Sequence, residues 1–212
     1  MAKESTGWKK QAKQEMQERA MGRYYKVTPG AHTLRILPNK KGVDYPPFLI
    51  VRVHRNVGPN KAFIRCGKKA KSGEGSCWLC DKKIPQLEAS SKKSLLQKAK
   101  EMVANEQAVF QVAWIDDNEK WHGPKVLILG IAKQTLANRL ITFIANPKVD
   151  YTDPVKGRNI YVERTGTGLK DTRYSDLAAE DEATKVPSGI LAKLENFLDI
   201  VGRYDEENMK AV

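Results

Sequence analysis

Apolar positions along this chain come in short bursts separated by turn residues. YYKVTPGAHTLRILP (24–38) and PPFLIVRVH (46–54) carry β-branched and aromatic runs punctuated by TPG, PNKKG and DYPP, which predicts strands joined by turns. In IPQLEASSKKSLLQKAKEMVAN (84–105), Leu87, Leu95, Leu96, Ala99 and Met102 recur at near-helical spacing, so one or two helices are expected. AVFQVAWID (108–116) alternates as a half-buried strand does, and KVLILGI (125–131) reads as a more fully buried one, with the polar hairpin loop DDNEKWHG between them. A helix follows with Leu136, Leu140, Phe143 and Ile144 inward and Gln134, Thr135, Asn138 and Arg139 outward. YTDPVKGRNIYVERTGTG (151–168) reads as turn, strand and Gly-rich turn, and VPSGILAKLENFLDIVG (186–202) as one amphipathic helix capped by Ser188 and Gly202. Residues 8–20, WKKQAKQEMQERA, form helix readily but have little to bury, which predicts an arm. At least five short strands with a few helices fit a mostly β fold, a small partly open barrel, better than βαβ units.

Charge changes this picture. The 212 residues carry a formal net charge of +12, distributed as +17 over residues 1–175 and −5 over residues 176–212. So positive a body implies a polyanionic partner, nucleic acid before a membrane surface, because outside the N-terminal helix no strongly amphipathic basic segment has an aromatic apolar face. No apolar run is long enough to span a bilayer. The N-terminus lacks the apolar region of a signal peptide, so an intracellular protein is expected.

The candidate chemistry is concentrated. One histidine and all three cysteines of the chain lie within HRNVGPNKAFIRCGKKAKSGEGSCWLC (54–80). Three thiols are an odd number, and CxxC in a reducing compartment favours metal over disulfide. His54, Cys66, Cys77 and Cys80 offer zinc three thiolates and an imidazole, a closed tetrahedral set that marks one structural ion. With so few apolar residues between 54 and 80, the segment is expected to need that ion to fold.

Single-stranded nucleic acid requires cations for its phosphates and rings for its bases. Lys and Arg interleave with rings repeatedly here: Arg23 with Tyr24; Lys61 and Arg65 around Phe63; Trp114, Lys120 and Trp121; Arg158, Tyr161 and Arg164; Arg173 and Tyr174. Arg52 alternates with apolar neighbours in a strand, Lys68 and Lys69 follow Cys66, and Lys170 sits in the Gly-rich turn GTGLKDTRYSDL. That turn lacks the ending of a P-loop and the spacing of a dinucleotide fingerprint.

The order and spacing of His54, Cys66, Cys77 and Cys80, the strand PPFLIVRVH entering them and the late segment GTGLKDTRYS resemble the zinc-containing, helix-destabilising single-stranded DNA-binding proteins of T-even and related tailed bacteriophages. The likeness runs from about residue 22 to residue 175. It implies an OB-type, partly open five-stranded barrel with an inserted structural zinc subdomain. The chain then divides into an N-terminal basic helical arm (1–21), an OB-type core (22–175) including the zinc subdomain (54–80), and a C-terminal helix with a mildly acidic end (176–212). The resemblance further implies a protein without enzymatic activity that coats and protects single-stranded DNA in phage replication, recombination and repair, in the cytoplasm of an infected bacterial host. Self-association along DNA and contacts with phage replication and recombination proteins are implied too. Lys3, Ser5 and Thr6 match the family's arm motif faintly, and Glu180–Glu182 and Asp205–Glu207 are a mild version of its acidic tail.

Two other readings follow from the residues. Stacking and phosphate contacts do not separate DNA from RNA, so an RNA-binding structural module fits the same features. Asp116, Asp117 and Glu119 are the residues a metal-dependent nuclease would use, although carboxylates in a hairpin loop are more often an ordinary solvated turn.

Overall fold

The computed structural model describes residues 22–42, 44–57, 62–70, 72–131, 136–167 and 171–201. The expected arm at 1–21, Lys61, Lys170, the cap at Gly202 and the acidic residues 205–207 lie outside the described residues. Seven strands are described: β1 (Gly30–Ile36), β2 (Phe48–Val57), β3 (Ala62–Arg65), β4 (Asn105–Ile115), β5 (Trp121–Gly130), β6 (Arg158–Thr165) and β7 (Arg173–Ala183). The helices are α1 (Ile84–Glu88), entered through a π-helical turn at Leu79–Lys83, α2 (Lys93–Met102), α3 (Leu136–Ile144), α4 (Ser188–Leu191) and α5 (Phe197–Val201). The protein is therefore mostly β with a few helices, as its turn-punctuated apolar runs foretell, and the metal-ligand segment is inserted between β2 and α1. The strands form an open antiparallel sheet in the order β3-β2-β4-β1-β6-β7, with β5 paired to β4. No helix among the described residues is long and apolar enough to cross a membrane.

The chain forms two compact units. One comprises Met1–Pro38, Phe110–Ile128 and Asn146–Leu194; the other comprises Asn39–Val109, Leu129–Ala145 and Glu195–Val212. In the first, β1 lies between β4 and β6, with Leu34 opposite both Trp114 and Ile160. Leu37, Ala113, Val186, Ile190 and Leu194 pack together there, with Trp121 and Leu191 against them.

Beside that cluster sits a buried cation. Arg35 is 1% exposed. Its guanidinium donates to the Asn159 side-chain oxygen at 3.1 Å, the Thr184 carbonyl at 2.8 Å and the Asp153 carbonyl at 3.4 Å. Asn159 in turn donates to Glu180 at 2.7 Å. Burial pulls the Arg35 pKa down to about 10, against the opposing pull of Glu180 and Asp153. Removing one partner from such a buried network costs about 3–5 kcal/mol, because the others are left unpaired.

In the second unit the core is made by Val57, Cys66, Cys77, Leu79, Ile84, Leu87, Ala99, Met102 and Ala104. Two of the expected metal ligands are thus core residues, which fits a segment with few apolar side chains of its own.

Elements differ from expectation in three respects. β4, read as half-buried, is buried continuously from Gln107 to Ala113, whereas in β5 the buried residues are Val126 and Leu127. A strand with neighbours on both edges and both faces covered loses its alternation. β7 lies where no strand was expected and carries the chain through residue 175, the expected edge of the core. Its Ala and acidic residues are poor strand formers, and pairing with β6, through Val162↔Leu177 and Tyr161↔Ala178, overrides that preference. The single helix expected at 186–202 is two, α4 and α5. Asn196 starts the second, its side chain donating to Asp199 at 3.1 Å and its carbonyl accepting from the Asp199 and Ile200 N–H groups. Pro187, not Ser188, is the N-cap of α4.

Gly157 closes the turn that Arg35 grips. A Cβ there would lie 2.4 Å from the Asp153 carbonyl oxygen, 2.9 Å from that of Tyr151 and 3.0 Å from the Arg35 guanidinium. Gly157→Ala is expected to lower stability by about 1–3 kcal/mol, read as an earlier urea midpoint with an unchanged m value.

Candidate metal centre and basic pocket

β2 and β3 pair with Val53 opposite Arg65 and His54 opposite Ile64, which sets His54 near the mouth of the loop that follows β3. The Cys66 N–H donates to the Arg52 carbonyl at 2.8 Å, so the ladder continues to the first thiol. Cys77 precedes the π-helical turn and Cys80 lies within it. Gly75, at φ +103°, allows the intervening loop to fold back; a Cβ there would lie 2.8 Å from the Gly67 carbonyl oxygen.

These elements bring His54, Cys66, Cys77 and Cys80 together, with all four ligand atoms within 4.8 Å of one another. His54 is fully buried, and its Nδ1–H donates to the Met102 carbonyl at 2.7 Å. That bond fixes the tautomer and aims the Nε2 lone pair at the sulfurs. Nε2 lies 3.2 Å from Cys77 Sγ and 3.6 Å from Cys80 Sγ, and Cys66 Sγ lies 3.7 Å from Cys80 Sγ. A tetrahedron with metal–ligand bonds of about 2.0–2.3 Å has edges of about 3.3–3.8 Å, so the four groups fit one metal ion. Metal-free, they compete for protons. Burial works against a charged His54, yet the Cys66 and Cys77 side chains and the Met102 carbonyl raise its pKa to about 10. Hydrogen bonds from Cys66 and Cys80 drive the Cys77 thiol down, while those with Cys66 and Cys77 drive Cys80 up. Metal uptake at this site must displace protons.

A basic pocket of about 340 Å³ abuts the centre, lined by Arg52, Arg65, Lys68 and Lys69 together with Cys66 and apolar residues of β2. Four of the expected nucleic-acid ligands thus share one cavity. Lys68 pairs with Asp81 at 2.6 Å, and Lys69 with Glu74 at 3.3 Å.

In the other unit the expected contacts separate into different surroundings. Trp114 is half-buried; His122 stacks on it at 5.2 Å, Tyr25 tilts against it at 5.0 Å, and the Lys125 ammonium lies 5.0 Å from its ring centre. Tyr24 bridges to Val126, and the next N–H, of Tyr25, donates to the Val126 carbonyl at 2.8 Å, pinning the segment after Arg23 to β5. The His32 Nε2–H donates to the Thr28 carbonyl, leaving Nδ1 to accept the Tyr25 hydroxyl at 2.8 Å. Burial raises the Tyr25 pKa to about 12. His122 and Lys125 were missed in the sequence; Lys125 could have been found by folding the hairpin back onto Trp114. Trp121 is half-buried against the Leu37 cluster, with the Arg35 guanidinium 5.9 Å from its ring centre. Lys120 is exposed at the hairpin tip.

The Asp116 carboxylate closes that hairpin. It accepts the Asn118 and Lys120 N–H groups at 3.0 Å each and pairs with His122 at 2.7 Å, contacts that hold its pKa below the usual carboxylate range. Its oxygens are committed to the turn, which supports the ordinary-turn reading of Asp116, Asp117 and Glu119.

Arg158 and Tyr161 lie on β6, opposite Ala183 and Ala178, and both are half-buried. Tyr174 is half-buried opposite Arg164, and Arg173 is exposed with its guanidinium donating to the Thr172 carbonyl at 3.0 Å. The Arg164 guanidinium donates to the Val27 carbonyl and, at 3.0 Å, to the Thr172 hydroxyl.

Comparison with known proteins gives one family. Residues 28–212 match the family described as gp32 DNA binding protein like. No curated protein matches the chain.

Because Arg164 ties two loops to the sheet, Arg164→Ala is expected to lower stability by about 1–3 kcal/mol. The exposed Arg173→Ala should stay within about 0.5 kcal/mol of the wild type. Parallel urea titrations of the two variants check the contrast.

Proposed function

The chain belongs to the gp32-like DNA-binding family, and on that premise we propose that it binds single-stranded DNA irrespective of sequence. It coats and protects exposed strands during phage replication, recombination and repair, in the cytoplasm of an infected bacterial host. The observation that carries the reading is the pocket of Arg52, Arg65, Lys68 and Lys69 built against the His54 centre. Four cations on one wall suit a phosphate backbone, and the rings around Trp114 suit unstacked bases. The protein acts by differential binding: favouring single strand over duplex lowers the free energy of melting through linkage, with no bond made or broken. Membership of a DNA-binding rather than an enzyme family supports a role without catalysis. Self-association along the strand and contacts with replication and recombination proteins belong to the same proposal.

The ion is zinc in this reading, supported by the donor set of three thiolates and one imidazole. Four protein ligands close the coordination sphere, so the metal braces the loop that carries Lys68 and Lys69 and takes no part in chemistry. One equivalent of zinc per chain is expected by elemental analysis. His54→Ala should lower that content sharply and expose the amides of residues 62–84 to hydrogen exchange. A chain purified without metal and equally protected would refute the assignment.

Titration of fluorescent oligo-dT and of a matched duplex, each at several salt concentrations, tests the function. Single strand should bind more tightly, with log K falling against log salt by about 0.7 for every phosphate neutralised. Equal affinity for duplex, or no salt dependence, would sink the proposal. Stronger competition by poly-U than by poly-dT would redirect it to RNA.

A further inference from the structure

Lys68 and Lys69 reach the basic pocket already paired with carboxylates. The Lys68 ammonium lies 2.6 Å from one Asp81 oxygen, and the other Asp81 oxygen accepts the Cys77 N–H at 2.9 Å. The Lys68 backbone N–H, for its part, donates to Cys66 Sγ at 3.4 Å. Asp81 thus clips the loop after Cys66 to the loop before Cys80, and it does so through Lys68, whose side chain also lines the pocket. The pair is not sealed from water, with side-chain exposures of 26% for Lys68 and 37% for Asp81. A partly exposed ion pair contributes little net free energy, so exchanging one partner for another anion is nearly free. Among the described residues, those lining the pocket include no ring for a base to stack on.

We propose that this pocket takes an internucleotide phosphate and that Asp81 is its built-in competitor, a counter-ion that the phosphate displaces from Lys68 while Asp81 keeps its hold on the Cys77 N–H. The proposal rests on the reading of the chain as a strand-binding protein and names the ligand group of one site within it. The exchange has a thermodynamic signature. Once displaced, the Asp81 carboxylate stands next to the incoming phosphate and draws back a cation from solution, which offsets part of the counter-ion release that neutralising the phosphate produces. The phosphate gains Lys68 but meets a nearby like charge, which keeps binding weak enough to reverse.

Asp81→Asn removes the competing charge and leaves an amide oxygen for the Cys77 N–H. With oligo-dT as the probe and the full chain as the protein, Asp81→Asn is expected to bind about two- to fivefold more tightly at low salt. Its salt dependence should be steeper by up to about 0.7. Lys68→Gln should bind more weakly with a shallower slope, and in that background Asp81→Asn should lose most of its effect. Metal content of every variant is measured alongside. An equal gain in both backgrounds would mean that Asp81 acts only as a general negative charge, and would overturn the proposal. Weaker binding by Asp81→Asn, or loss of its metal, would assign the carboxylate to holding the loops alone and overturn it equally. A wild-type chain that binds no oligo-dT brings down both this proposal and the function it rests on. A wild-type chain that binds and gives an additive cycle brings down the exchange alone.

Discussion

The convergence of one imidazole and three sulfurs within 4.8 Å is the constraint on which the candidate site depends. The segment that supplies them has little else to hold it. Among the described residues between β3 and α1, the buried ones are Cys66, Cys77 and Leu79, so the ligands themselves form much of the local core. Hydrogen bonds within the cluster hold the His54 pKa up and the Cys77 pKa down and push Cys80 up, so the four groups share their protons. A dication held by all four would take the place of those protons. Its binding energy then serves as folding energy for the strand end at Arg52 and Arg65 and for the turn that presents Lys68 and Lys69.

The other unit solves a related problem without an ion. Arg35, deep beside the cluster of Leu37 and Ala113, is satisfied by two backbone carbonyls and the Asn159 side chain, with Glu180 behind Asn159. The acidic stretch of β7 thus has a structural use. Glu180 balances an interior cation, and the remaining carboxylates lie along a strand with β6 as its neighbour. Charge on such an edge strand discourages pairing with another chain.

Features set by a few residues close in sequence were legible. Four ligands inside 27 residues can be recognised without a fold, and the structure brings those four together. Strands β1, β2, β4, β5 and β6 were legible because each is an apolar run between turn residues, and α2 because Leu95, Ala99 and Met102 keep helical spacing. What escaped depends on partners distant in the chain. β7 is a strand because β6 is beside it, and its composition gives no sign of that. The break between α4 and α5 falls where the chain leaves one compact unit after Leu194 and joins the other at Glu195, a boundary that the continuous apolar pattern conceals. Nothing in the neighbouring sequence marks Arg35 as buried, because its partners lie more than a hundred residues away.

The same dependence on distant partners limits what a count of positive charges can say about binding. A net charge of +12 suggests a uniformly receptive surface, yet the cations fall into distinct classes. Arg35 is interior and Arg164 is committed to the Val27 carbonyl and the Thr172 hydroxyl, so neither guanidinium is available to a phosphate without loss of structure. Lys68 and Lys69 are reachable but already neutralised by Asp81 and Glu74. Lys125 lies over the Trp114 ring, on which His122 also stacks, so its ammonium is held beside aromatic rings and, among the described residues, not beside a carboxylate. Total charge therefore governs how fast a polyanion arrives. On the proposed exchange, how tightly it stays is decided by cations whose existing partners can be displaced at little cost, and Lys68 and Lys69, paired with Asp81 and Glu74 beside the His54 centre, are of that kind.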